Sequence, residues 1–225
     1  MKRRVSLALA LMLLLCGCAR KKRKAAAPPA PRAVVVMPHI GDEEVGIASW
    51  YGHPYHGRRA SNGEIYDMEK MTAAHRTMPF GTVVEVRNLT NDLTATVRII
   101  DRGPFIDGRI IDLSHAAAKE IQMIGPGIAK VRVTVVGLPE AAPPGVFAVQ
   151  IGAYKDRANA ERHRKQMEDR YGSARLVFRD GNPAVWRVLV GNEPTAEAAA
   201  ALAERVKSDV REAFVVRVDA PDGNL

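Results

Sequence analysis

Asp101 has the surroundings of a proton donor: it ends the apolar run Val97-Arg98-Ile99-Ile100 and enters the turn Arg102-Gly103-Pro104. A carboxyl at the lip of a cleft, partly stripped of water, has its pKa raised and can protonate a leaving oxygen, as cleavage of a glycosidic bond requires. The same residue can instead cap its turn by accepting backbone hydrogen bonds, and the spacing leaves both readings open. Glu64 and Asp67 stand three apart in the polar loop Asn62-Gly63-Glu64-Ile65-Tyr66-Asp67 and read either as cleft carboxylates or as solvated ones. His75, after Thr72-Ala73-Ala74, reads on its own surroundings as a core histidine bonded to backbone. Trp50, Tyr51 and Tyr66 offer faces for sugar rings or bulk for a core. His53 and His56 have metal-ligand spacing, but no cysteine or clear third ligand accompanies them, and neither metal nor other cofactor is expected.

The elements that must position these groups fall in two regions. From about Val45 to Leu138 the pattern is mostly β, with strands expected at Gly46-Trp50, Thr82-Arg87, Thr94-Ile100, Ile110-Asp112 and Lys130-Val136. Apolar and polar residues alternate in Val83-Val84-Glu85-Val86 and Val131-Arg132-Val133-Thr134-Val135, so each strand buries one face. One short helix is expected from Ser114, as N-cap, to Met123. Many short strands and one helix predict a small closed barrel. After the Pro-rich linker 139–145, residues 146–219 carry a repeat at an offset of 39, Val146-Phe147-Ala148-Val149-Gln150-Ile151-Gly152 against Val185-Trp186-Arg187-Val188-Leu189-Val190-Gly191. Each copy precedes a helical pattern, Asn159 to Tyr171 and Thr195 to Lys207, and then a strand, Ala174-Arg179 and Ala213-Val218. The order β-α-β-β-α-β predicts a ferredoxin-like sandwich, making the chain mainly β plus α+β.

The 225 residues carry a net charge of +8, but nine of the 33 Lys and Arg precede Asp42 with no acid among them. The remaining 24 face 25 acidic residues, so the folded part lacks the basic footprint of a nucleic-acid-binding domain. Residues 1–17 read as an export signal, with Lys2-Arg3-Arg4 before an apolar segment, Val5 to Leu15, too short to span a bilayer. No apolar run reaches the length of a membrane span, which excludes a polytopic membrane protein. Both cysteines lie in this N-terminal stretch, so the body has no disulfide framework. Residues 18–44, basic and then rich in Ala and Pro, read as an extended tether, and 220–225 as a tail.

Several of these segments carry resemblances. Leu15-Cys16-Gly17-Cys18 resembles the bacterial lipobox, which implies lipidation at Cys18 and a membrane anchor; Cys16 departs from the usual small residue, and Ala19 resembles the sorting position of outer-membrane lipoproteins. Gly46-Ile47-Ala48-Ser49-Trp50-Tyr51-Gly52, His56-Gly57-Arg58-Arg59, Ser61 to Asp67, Thr72-Ala73-Ala74-His75, Pro79-Phe80-Gly81-Thr82 and Asp101-Arg102-Gly103-Pro104-Phe105 resemble the double-psi β-barrel of the rare lipoprotein A family. Phe147 to Tyr154 and its repeat resemble the SPOR domain, which binds glycan strands of peptidoglycan stripped of stem peptides.

The barrel resemblance implies a six-stranded fold and a lytic transglycosylase in which Asp101 acts as acid and then base between MurNAc and GlcNAc, leaving a 1,6-anhydro ring. It further implies that His75 hydrogen-bonds Asp101 and sets its protonation, and that Glu64 and Asp67 hold sugar hydroxyls or stabilise the developing charge; by residue type alone, Tyr51 is a candidate sugar contact and Arg102 either a sugar contact or a structural partner of Asp112. In the second region the period of two places Phe147, Val149 and Ile151 under the helices and turns Gln150 and Arg187 to an open sheet face that accepts glycan. Leu189, where a polar residue is frequent, and Asn192-Glu193 depart from the pattern. The resemblances imply work on the outer membrane's periplasmic face, at the division septum. Two other readings remain: a septal binding lipoprotein that does not cut, and a hydrolase with Glu64 as second carboxylate.

Overall fold

The computed structural model describes residues 38–140, 145–180 and 183–219. The expected signal, Cys18 with its lipidation, most of the tether and the tail lie outside the described residues. Six strands close a barrel: β1 (Glu43–Tyr51), β2 (Thr72–His75), β3 (Val83–Asn88), β4 (Thr94–Asp101), β5 (Arg109–Ser114) and β6 (Ile128–Gly137), in the order β1-β5-β2-β4-β3-β6 with β6 returning to β1. The β1/β5 and β2/β4 pairs are parallel and the rest antiparallel.

The alternation read in the sequence is the alternation of burial. Val84, Val86, Val131, Val133 and Val135 are buried in the barrel core with Ile99, Ile111 and Leu113, while Arg87 and Arg132 on the same strands are exposed. Strand β1 begins at Glu43, two residues before the expected barrel start, because β6 continues to pair with it: Glu43 stands opposite Thr134 and Glu44 opposite Val133. Two glutamates carry no apolar signal to announce that pairing. Strand β2 is absent from the expected set: its four residues are all buried, so Thr-Ala-Ala-His has no alternation to read. Ser114 caps α1 (His115–Glu120), its Oγ accepting the Ala117 N–H at 3.2 Å.

The second region is a four-stranded antiparallel sheet, β10-β7-β9-β8, built from β7 (Gly145–Tyr154), β8 (Ala174–Arg179), β9 (Val185–Glu193) and β10 (Phe214–Asp219). Helices α2 (Arg157–Tyr171) and α3 (Ala196–Val206) pack Ala160, Met167, Leu202, Ala203 and Val206 onto Val149, Ile151, Val188 and Val190 of one sheet face. Asp156 and Thr195 cap their N-termini by accepting the Asn159 and Ala198 N–H groups. The strand order gives the ferredoxin-like sandwich expected from the repeat.

Gly191 closes the second copy of that repeat with a φ of +84°, and a Cβ there would stand 2.3 Å from the buried Leu202 Cδ2. Gly191→Ala should therefore lower the stability of the second domain by about 1–3 kcal/mol, measured by denaturant unfolding of the mature chain.

Candidate functional site: two carboxylates beside Ala74

Strand β2 lies between β4 and β5, and Ala74 pairs with Asp101 on one side and with Asp112 on the other. Paired residues present side chains to the same face, so both carboxylates share the face of Ala74, with their Cα atoms about 10 Å apart across two strand spacings. Both line a cavity of about 420 Å³ with Tyr51, Tyr55, Gly103, Phe105 and Arg187. Asp112 was readable in sequence only as a structural partner for Arg102. The available signal was a lone acid inside Ile110-Ile111-Asp112-Leu113, the same apolar setting that marks Asp101.

The two carboxyls differ in their bonds. Asp101, 8% exposed, accepts at Oδ1 from the Ser61 N–H (3.1 Å), the Ser61 hydroxyl and the Arg102 N–H (2.7 Å), and at Oδ2 from Arg179 Nη2 (2.6 Å). Arg179 Nη1 also donates to Ser61 Oγ, closing a ring of three side chains. Asp112 accepts from Ser49 Oγ, which itself accepts from Arg109 Nη1 at 3.0 Å. Burial pushes the Asp112 carboxyl above its ordinary value, and the Asp101 charge adds to this against the Ser49 bond and Arg109.

His75 is not with them. Side chains alternate along β2, so a residue next to Ala74 faces the other way. His75 Nδ1 accepts the N–H groups of Thr77 and Met78, which leaves the proton on Nε2 to donate to Glu44 Oε2 at 3.0 Å. Burial pushes the Glu44 carboxyl up, but the hydrogen bond from His75 and the nearby Arg76 charge outweigh it and hold it below its usual value. Glu64 makes a two-pronged pair with Arg98 (2.7 and 2.8 Å) and lines an adjoining groove of about 730 Å³ that shares Arg59, Phe105, Arg179 and Arg187 with the Asp101 cavity, while Asp101 itself lines only the smaller one. The Arg98 bonds hold its carboxyl below the usual range. Asp67 accepts the Glu69 N–H (3.0 Å) and lines neither cavity.

Tyr51 lines the Asp101 cavity, its ring stacked on Tyr66 at 4.4 Å; burial, then the Asp101 charge, pushes its phenol well above the ordinary value. Tyr66, 2% exposed, donates to the Tyr51 carbonyl and borders the same cavity beneath the Tyr51 ring. Trp50 packs against the barrel core. Among the described residues no group of three metal-ligating side chains assembles, and His56 Nδ1 accepts the Met68 N–H. Arg102 is no partner of Asp112: it is buried, with Nε on the Arg217 carbonyl (3.1 Å), Nη1 on the His75 and Met78 carbonyls and Nη2 on Asp219. Burial pushes its guanidinium down to about 10.

In the second domain Gln150 and Arg187 do lie away from the helices, but their face is not open. Ala148, Leu189 and Val216 are buried there with Phe105 of the barrel, and Gln150 is 4% exposed. The Arg187 guanidinium lies 4.5 Å from the Phe105 ring centroid, and burial pushes it down to about 10. The 730 Å³ groove runs along this seam, lined from both sides by Ser61, Glu64, Arg98, Gln150, Arg179 and Arg187.

Residues 43–133 match the family model described as "Lytic transglycolase", and residues 143–217 match that of the SPOR domain. Among curated proteins the chain is similar to the endolytic peptidoglycan transglycosylase RlpA of Helicobacter pylori, 37% identical over 182 residues that cover 67% of this chain and 57% of the relative. It is similar to proteins of the same name from Campylobacter jejuni, 42% identical over 54% of each chain, and Vibrio cholerae, 52% identical over 46% of this chain and 40% of the relative. The matched regions thus span between 40% and 57% of the length of these relatives.

The raised Asp112 carboxyl has a consequence for stability. The native chain holds this proton to higher pH than the unfolded chain, so ionising it costs native stability as pH rises above 3.8. Asp112→Asn, which keeps an oxygen for Ser49, should raise the thermal midpoint of the mature chain at pH 7 by a few degrees and leave it unchanged at a pH below that value, measured by calorimetry.

Proposed function

From a barrel that belongs to the lytic transglycosylase domain family and a second domain that belongs to the SPOR family, we propose that this protein is a peptidoglycan lytic transglycosylase. It cleaves the MurNAc–GlcNAc bond of strands stripped of stem peptides, leaves 1,6-anhydro-MurNAc ends, and works in cell-wall remodelling and daughter-cell separation. Cys18 carries the lipid that anchors it to the outer membrane, and the septum, where peptide-free strands accumulate, is its place of work. The observation that carries the reading is Asp101, a buried carboxyl whose cavity is lined by Tyr51, Tyr55 and Phe105.

In the reaction the protonated Asp101 gives its proton to the glycosidic oxygen as the C1–O bond breaks, and the GlcNAc segment leaves with a new 4-hydroxyl. Positive charge develops on the MurNAc ring, and the negative Asp101 lowers its energy. The C6 hydroxyl then attacks C1 and returns a proton to Asp101. Atoms and charge balance with one carboxyl, and neither water nor a metal enters. Arg98, held by Glu64, and Arg187 supply donors along the seam for acidic sugars. His75 and Glu64 act through the backbone and Arg98 they hold, not on the sugar.

Hydrolysis has one observation of its own: Asp112 faces the same cavity, and a second carboxylate is what positions a water across a sugar ring. Product ends separate the readings. The mature chain incubated with amidase-treated peptidoglycan should release fragments with 1,6-anhydro-MurNAc ends by mass spectrometry, and Asp101→Asn should lower the rate by at least about 100-fold. Reducing ends would establish a hydrolase, and bound but intact strands a binding protein.

A further inference from the structure

The sheet face of the second domain is an interaction surface, and in this structure its occupant is the mouth of the barrel. Ala148, Leu189 and Val216, with Val177 and Val218 at the margin, close around Phe105. Phe105 meets Phe214 edge-on at 6.0 Å and lies under Arg187. At the rim Arg102 pairs with Asp219, and the Arg217 N–H donates to the Arg76 carbonyl at 2.9 Å. From this face Arg179, on the last residue of β8, reaches the catalytic carboxyl. Together with Ser61 and the Arg102 amide it engages both oxygens of Asp101.

A general acid must turn one oxygen, carrying a proton, toward the leaving group. Oδ1 already receives three donors and Oδ2 receives a guanidinium, which cannot release its proton at neutral pH and occupies the place a substrate oxygen would take. The packing therefore covers two things at once: the acid of the barrel, and the part of the sheet face, Gln150 and Leu189 with half of Arg187, that would meet an extended strand. We propose that this is a self-masked state, in which the second domain seats Arg179 on Asp101, and that an extended, peptide-free glycan strand competes for the sheet face, draws Arg179 away and frees the acid. The proposal rests on the transglycosylase reading above for what the freed acid then does. A strand that can reach the sheet only in the opened state shifts the chain toward that state by its own binding free energy, and the masking lowers its apparent affinity by the same coupling.

Reciprocity supplies the test, because a change in either domain should be read in the other. Arg179→Ala, in the second domain, should raise the rate at which the mature chain cleaves short peptide-free strands by about five-fold or more. Phe105→Ala, in the barrel, should tighten binding of long peptide-free strands to the sheet by a similar factor, read by calorimetric titration. Thermal midpoints of both variants close to the parent's establish that they fold. If the parent cleaves while Arg179→Ala is no faster, or slower, the self-masking is wrong and the enzyme reading stands. If no variant cleaves anything but Phe105→Ala still tightens binding, the masking stands and the enzyme reading fails. Unchanged cleavage by Arg179→Ala with unchanged affinity in Phe105→Ala overturns the proposal.

Discussion

The burial of one guanidinium organises both domains. Arg102 is 8% exposed, and burying its charge without partners would cost several kcal/mol. Its partners are accordingly drawn from three places: the carbonyls of His75, which ends β2, and of Met78 beyond it, the Arg217 carbonyl and Asp219 carboxylate of β10, and the Phe80 ring, 3.7 Å from the guanidinium carbon. Even pushed down to about 10 by burial the group stays charged at neutral pH, so removing the Asp219 carboxylate leaves a buried charge without its counter-ion. Its own amide donates to Asp101. The residue that fixes the candidate acid is thus the residue that holds the second domain down.

Strand β2 is the ruler for the rest of the site. Ala74 is small enough to leave the space between Asp101 and Asp112 open, and its neighbours Ala73 and His75 must face the opposite side. This explains why His75, placed with Asp101 by motif, pairs with Glu44 instead. Motif order along a chain reports which residues recur together; it does not report the face of the strand each occupies, and β2 itself was invisible because a fully buried four-residue strand has no period. Asp112 was within reach of sequence reasoning, since an acid inside an apolar strand needs a reason, but its significance depends on the register that brings it opposite Ala74.

What the chain shows plainly at the level of sequence is local. Alternation in β3 and β6, the capping of α1 by Ser114 and the repeat of 39 residues each rest on neighbours in sequence, and a small closed barrel and the ferredoxin-like sheet follow from them. The assignment of Gln150 and Arg187 to the face away from the helices is of this kind. That the barrel covers this face is not, because packing between domains leaves no period in either partner. Leu189 was the one trace of it. Where a polar residue is expected on a solvated face, an apolar one marks a surface that spends time covered, and Leu189 is 5% exposed under Phe105.

That covered face also sets what can displace the barrel. A sheet with helices on one side and Ala148, Leu189 and Val216 on the other would expose a contiguous apolar strip if left bare, which soluble proteins rarely tolerate. A competitor must therefore offer apolar surface to Leu189 and Val216 and polar acceptors to Gln150 and Arg187 together. A sugar strand does so, since each pyranose ring has a face of C–H groups and a rim of oxygens. A stem peptide would put bulk and charge between the ring and the sheet. Under the self-masking proposed above, a preference for stripped strands follows from the same contact that covers Asp101, without any separate device for recognising the peptide.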